Sequence, residues 1–134
     1  MKTYTIASAI IKYKDKYLIG KRAANKKFYP NIWELISGFI EEKEPAEETI
    51  LREIKEETKV KAKLIKTADP YIIKVTNERW IIIPFLLEAK DNSFKLNKKD
   101  HSELKWVSLD ELSKINELKE DIKQLKIRGL LKWN

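Results

Sequence analysis

Three glutamates and an arginine within six residues could do chemistry together. In Arg52-Glu53-Ile54-Lys55-Glu56-Glu57 the carboxylates at 53 and 56 are three apart and those at 53 and 57 four apart. On a helix all three therefore reach one side. Carboxylates crowded in this way repel one another, and a helix shaped for stability alone would pair them with lysines. Arg52 reaches Glu56 by a four-residue step, but one cation does not neutralise three anions. Magnesium or manganese does, because each takes oxygen ligands near octahedral geometry and completes its shell with water and substrate phosphate. A solvated acidic face is the plainer alternative for this spacing taken alone.

Charge around this stretch is uneven. Between Glu41 and Glu57 lie eight Glu against Lys43, Arg52 and Lys55, a segment charge of −5 in a chain of +7, which leaves +12 elsewhere. An acidic island suits a hard cation and a basic surround suits a polyanion. The two together suggest a phosphate-bearing ligand held by divalent metal and lysines. Lysines outnumber arginines 24 to 4, a poor composition for bidentate reading of bases or phosphates but adequate for general attraction.

The elements that must position these residues are legible as patterns. Thr3–Ile11 alternates as a strand, and Tyr17–Arg22 reads as its hairpin partner across Lys14-Asp15-Lys16. A basic loop over 23–31 contains Tyr29-Pro30-Asn31, read as turn chemistry with no functional role. Ile32–Ile36 is expected as a short strand that Ser37-Gly38 breaks. From Pro45 to Thr58 the period becomes helical, with Ala46, Ile50 and Ile54 facing the core, Leu51 widening the stripe, and the three carboxylates opposed to it. Pro45 suits the first helical position, and Glu47 and Glu48 suit the positive end of the dipole. Further strands are expected over Val60–Lys66, Tyr71–Thr76, Arg79–Ala89 and Leu104–Val107. The run Trp80-Ile81-Ile82-Ile83 has the character of a central, doubly covered strand. Ser108-Leu109-Asp110-Glu111 is a capping box, and a last helix is expected from about Glu117 to Leu131. The fold class is α+β: a mixed central sheet in an α/β/α sandwich, with one helix carrying the chemistry and one at the C-terminus. Residues 1–134 are expected to form one domain.

The spacing of Gly38, Glu44, Arg52-Glu53-Ile54-Lys55-Glu56-Glu57 and Val60 resembles the Nudix box. Gly20-Lys21-Arg22 upstream, Trp33-Glu34-Leu35 before the box and Trp106-Val107 after it extend the likeness over most of the chain. Two positions depart from the family pattern. Lys59 stands where a glycine is expected, so either the helix ends without a left-handed glycine or Lys59 takes that conformation. Ile36-Ser37-Gly38 replaces the usual Pro-Gly-Gly.

The resemblance implies a Nudix-like sandwich that hydrolyses a pyrophosphate bond in nucleoside diphosphate-linked substrates, with Mg2+ as cofactor and Mn2+ as a substitute. Carried over residue by residue, Glu53, Glu56 and Glu57 would be metal ligands, helped by the backbone carbonyl of Ser37 or Gly38. Arg52 would orient the glutamates, and Glu44 would support the water network at the metal. Glu53 is the first choice of general base; an acid on the loop before Trp106, Glu103 or Asp100, is the second. The segment from Ile19 to Ala24 resembles the mutator-type (MutT-like) nucleoside triphosphate pyrophosphohydrolases, which makes Arg22 and Lys21 candidate substrate contacts. Asn116 falls where those enzymes carry a purine-reading asparagine, and it equally suits the N-cap of the last helix, the favoured reading. Leu35 replaces an aromatic that those enzymes use near the base. Trp33 and Trp80 could stack on a base, although strand aromatics are more often core.

Composition closes several other routes. The chain has 134 residues and no Cys, which excludes disulfides, thiolate metal sites and thiol nucleophiles. A charged share of 37% argues against a membrane span, and the N-terminus reads as a strand and not as a secretory signal. The cytoplasm is the expected compartment, a small nucleotide the expected partner, and monomer or homodimer the expected state. A nucleic-acid polymer is not expected. The one His, His101, lies beside Asp100 in a Lys-rich loop and is expected to be exposed. The alternative within the fold is a nucleotide-binding or regulatory module without turnover. A prenyl diphosphate isomerase is disfavoured by the missing Cys and metal histidines.

Overall fold

The computed structural model describes residues 1–132, so Trp133 and Asn134 of the expected domain span lie outside the described residues. Its spine is a pair of twelve-residue strands, β1 (Lys2–Tyr13) and β7 (Glu78–Ala89), that run parallel from Lys2↔Glu78 to Lys12↔Glu88. On its other side β1 pairs antiparallel with two different strands. Its far end meets β2 (Lys16–Arg22) at Lys12↔Tyr17, and its middle meets β4 (Ile36–Phe39) from Ile6↔Phe39 to Ala9↔Ile36. β2 also carries β3 (Trp33–Glu34) and β8 (His101–Ser108), while β7 carries β5 (Ala62–Thr67) and β6 (Tyr71–Val75). One mixed eight-stranded sheet results.

Alternation along the strands sends side chains to two separate cores. Ile10, Tyr17, Ile19 and Val107 face one side, covered by α2 (Leu109–Ser113), a 3-10 turn (Asn116–Leu118) and α3 (Lys119–Ile127) through Leu112, Ile122 and Leu125. Ile11, Leu18, Ile36 and Leu87 face the other, covered by Ile50 and Ile54 of α1 (Ala46–Thr58). This is the expected α+β sandwich with a mixed sheet.

Several expectations shift in detail. Ser37-Gly38 does not break a strand; both residues pair with β1, and the break falls at Leu35 between β3 and β4. Pro45 is the N-cap of α1 and not its first helical residue, and Leu51 is exposed and does not widen the stripe. The last helix is split, because a 3-10 turn occupies Asn116–Leu118 and α3 ends at Ile127. Asn116 is therefore not its N-cap; that position is Leu118, with no side-chain cap. The capping box holds: the Ser108 hydroxyl accepts from the Glu111 amide, and Glu111 accepts from the Ser108 amide. Lys59 takes the left-handed conformation (φ 59°, ψ 12°) and donates its N–H to the Ile54 carbonyl. A lysine thus performs the turn that glycine performs freely, at a cost of roughly 1 kcal/mol.

Candidate active site

Pairing of β4 with β1 lays Gly38 beneath the middle of α1, and this sets the site. A Cβ on Gly38 would stand 2.4 Å from Cγ and 2.6 Å from Cδ of Glu53. Only a residue without a side chain lets the Glu53 carboxylate settle against the strand. Arg52 fixes that carboxylate from the other side. Its Nη1 donates to Glu53 Oε1 (3.0 Å) and Glu56 Oε2 (3.3 Å), while Nε and Nη2 make a two-point bond to Glu44 (3.0 Å each). Thr49 donates to the same Glu44 (2.7 Å). These bonds hold the Glu44 carboxyl below its usual range, the Arg52 bond first. Glu44 and Arg52 therefore form a planar, two-point clamp at the start and middle of α1.

The three helix glutamates sit at different depths. Glu56 is largely exposed and Glu53 partly so, with side-chain accessibilities of 57% and 19%. Glu57 is buried, three residues on from buried Ile54, so it lies at the edge of the core stripe and not opposite it. Burial pushes its carboxyl far above the normal range, and a shared hydrogen bond with Glu53 and the charges of Glu53, Glu34 and Asp100 push in the same direction. The donors these three glutamates offer are all oxygen, the ligand type of a hard divalent ion, whereas the acid and histidine ligand atoms that lie within 4.8 Å of one another belong to Glu34, Glu57 and His101.

These acids line one end of a cleft of about 710 Å³. Eight carboxylates line the whole cleft against two cations, Arg22 and Lys26, so a polyphosphate entering it requires additional positive charge. Arg22 donates Nη1 to Glu34 (2.9 Å) and Nε to the Phe28 carbonyl (2.9 Å), tying the 23–32 loop to β3. Lys26 pairs with Asp100 (2.9 Å), which lies at the foot of β8.

The other end of the cleft is aromatic. Phe28, Tyr29, Phe39 and Trp80 line it. Trp80 stacks on Tyr4 at 4.6 Å and meets Phe28 edge-on at 5.4 Å, and Phe39 closes the group at 5.7 Å from Phe28. Tyr29 and the Trp80 indole N–H both donate to Glu78. Asp121, in the first turn of α3, also lines the cleft and accepts a hydrogen bond from the Tyr71 hydroxyl (2.7 Å). Burial raises its carboxyl to about 6, against the lowering effect of that bond.

The residues read from the sequence separate accordingly. Arg22, Gly38, Glu53, Glu56 and Glu57 line the cleft, and Arg52 and Glu44 brace it. Glu103, Lys21 and Asn116 are not among its lining residues. β8 begins at His101, earlier than expected, so Glu103 already lies within the strand, exposed and opposite Lys21; Asp100, the last loop residue, reaches the cleft instead. Lys21 sits between Trp33 and Glu103 on neighbouring strands. Asn116 is exposed at the start of the 3-10 turn, where Glu117 and Leu118 face the cleft in its place. Trp33 and Trp80 both line the cleft and pack against the core, and Lys105 lies over the Trp33 ring at 4.5 Å. His101 is fully buried, not exposed, and bonds to Glu34 at 2.8 Å. Sequence reasoning missed Glu34, Asp121, Phe28 and Phe39. Trp33-Glu34-Leu35 pointed to the neighbourhood of the first; the others carry no local signal.

A Nudix domain family model matches residues 3–128. The chain therefore belongs to the Nudix domain family. Among curated proteins it is similar to an RNA pyrophosphohydrolase of Pelagibacter ubique (strain HTCC1062), 24% identical over 125 residues that cover 81% of this chain and 77% of that protein. Among solved structures it is similar to a MutT protein from Methanosarcina mazei Go1 (TM-score 0.82, 23% identity, 98% of this chain and 97% of that one). A C. elegans Ap4A hydrolase shares the fold as well, with a TM-score of 0.77 at 17% identity over 92% and 93% of the two chains. Among the described residues no helix is long and apolar enough to cross a membrane.

Proposed function

We propose that the chain is a divalent-metal-dependent nucleotide pyrophosphohydrolase that cuts a phosphoanhydride bond in a nucleoside triphosphate or a related nucleoside diphosphate derivative. One observation carries this reading: a single cleft joins a carboxylate end to an aromatic end, the two chemistries a nucleotide presents. The RNA pyrophosphohydrolase and Ap4A hydrolase among its relatives extend the substrate class to 5′-triphosphate RNA ends and dinucleoside polyphosphates.

Glu53, Glu56 and Glu57 would hold Mg2+, with a backbone carbonyl of Ser37 or Gly38, and Mn2+ would substitute. A bound ion would supply positive potential for the phosphates and Lewis acidity at the phosphoryl oxygens. Glu53 takes the proton of the attacking water, and its position against Gly38 and under Arg52 pre-orients it. Asp100 is the second candidate base. Arg22 and Lys26 draw the polyphosphate toward the acidic end. Phe28, Phe39 and Trp80 offer ring faces to the base, and Asp121 offers a carboxyl to its polar edge.

The test is incubation of the chain with Mg2+ and a panel of nucleoside triphosphates, dinucleoside polyphosphates and 5′-triphosphate RNA. Release of pyrophosphate or phosphate, abolished by chelation, is the expected result. Tight nucleotide binding with no turnover across the panel would replace this reading with that of a binding module.

A further inference from the structure

Behind the helix glutamates lies a group that the reaction does not use. His101 is fully buried, and its Nδ1 is a buried side-chain atom with no hydrogen-bond partner. Its other nitrogen is committed: Nε2 lies 2.8 Å from Glu34 Oε2. A carboxylate only accepts, so Nε2 carries a proton, and the neutral ring then leaves Nδ1 with its lone pair. Glu57 Oε1 lies 3.7 Å from Nδ1, beyond hydrogen-bond range. An oxygen from each of Glu34 and Glu57 and a ring nitrogen of His101 lie within 4.8 Å of one another.

The ring is held in this pose by close packing. A Cβ on Gly20 would stand 2.5 Å from the His101 Cδ2, so the imidazole lies directly on the β2 backbone. A histidine whose far N–H is fixed on a carboxylate while its other nitrogen is bare has the arrangement found in carboxylate–histidine–metal triads. Ligand bonds of about 2.1 Å at a tetrahedral angle place two ligand atoms about 3.4 Å apart. The observed 3.7 Å needs only a small contraction to reach that spacing.

We propose that His101 Nδ1 and Glu57 together ligate one metal ion beneath the helix glutamates, with Glu34 orienting the imidazole. The proposal rests on the reading above that Glu57 holds metal. It adds a nitrogen donor to a set otherwise made of oxygen, which turns this inner position toward Mn2+, Co2+ or Zn2+ over Mg2+.

Because the chain has one histidine, 15N-histidine labelling of the untagged protein yields two imidazole nitrogen signals and no others. Zn2+, diamagnetic, is titrated to saturation, with calorimetry on the same sample to establish binding. The expected result is a shift of the unprotonated Nδ1 signal that completes at one equivalent, while Nε2 keeps its proton. Mg2+ should reverse the shift only at an excess of about tenfold or more. Glu34→Gln, which preserves shape and an acceptor, should weaken Zn2+ binding by about 10–100-fold. Zn2+ bound by calorimetry with Nδ1 unmoved would overturn nitrogen ligation while leaving the carboxylate site standing. No Zn2+ binding, together with no Mg2+-dependent hydrolysis, would overturn both. His101→Gln is a weaker test, since loss of a buried ring against Gly20 endangers folding.

Discussion

At its acidic end the cleft draws three glutamates from five consecutive residues of one helix, whereas its aromatic end draws Phe28, Phe39 and Trp80 from a loop, a short strand and a long one. The first arrangement is set by helical spacing and by one close contact with Gly38. The second exists only once the sheet has closed. Reaction type is thus written locally, and the surface that meets the rest of a substrate is a product of tertiary structure.

Four substitutions test this division, and the largest effect falls at the acidic end. Glu53→Gln keeps the volume and relieves repulsion with Glu57, so the thermal midpoint should hold while kcat with Mg2+ falls by about 10²–10⁴-fold. Activity within tenfold of the parent would move the base to Asp100. Next, Gly38→Ala places a methyl where Glu53 Cγ now lies. The displaced carboxylate should lower kcat by about 10²-fold, and steady-state kinetics that show no loss would detach Gly38 from the positioning of Glu53.

The third substitution reads the far end through pH. Burial holds the Asp121 carboxyl at about 6, above its ordinary 3.8. A raised carboxyl favours the folded state fully below the unfolded value, and that advantage is lost as pH rises through the folded one. Asp121→Asn, which still accepts from Tyr71, should therefore be more stable than the parent by about 2–3 kcal/mol at pH 8. The difference should vanish below about pH 4, and urea melts across that interval measure it. The smallest effect belongs to Phe39→Ala. With 44% of the residue exposed, truncation should leave folding intact and raise KM by roughly 2–10-fold at constant kcat, the worth of one stacking contact. An equal fall in kcat would join the two ends mechanistically.

The same division explains what could be read in advance. Periodicity located the longer strands and α1, because each depends on residues a few positions apart, but not the division of 33–39 into β3 and β4. The Arg52/Glu53/Glu56/Glu57 constellation was visible for that reason, as was the Lys59 alternative, since a helix end has few ways to turn. The depth of Glu57 was not visible: the helical period sets all three carboxylates opposite the apolar stripe, and tertiary packing, with His101 of β8 at 3.7 Å, is what buries it. His101 sits among lysines in the sequence, and nothing local reveals that strand pairing delivers it to Glu34. Of the two acids before Trp106, Asp100 reaches the cleft and Glu103 does not, because β8 begins at His101 and takes Glu103 into the sheet, a start that the pattern over Leu104–Val107 does not reveal.

The parallel pairing of β1 with β7 bears on how the chain comes off the ribosome. Ile6 finds its partner in Ile82, so β1 must wait through roughly 4–15 s of elongation for the strand that completes its ladder. Through that interval α1 is already formed in sequence, with Ile50 and Ile54 lacking the Phe85 and Leu87 that later share their core. Long-range closure of this kind slows folding and leaves a nascent chain with greasy surface for a chaperone to shelter.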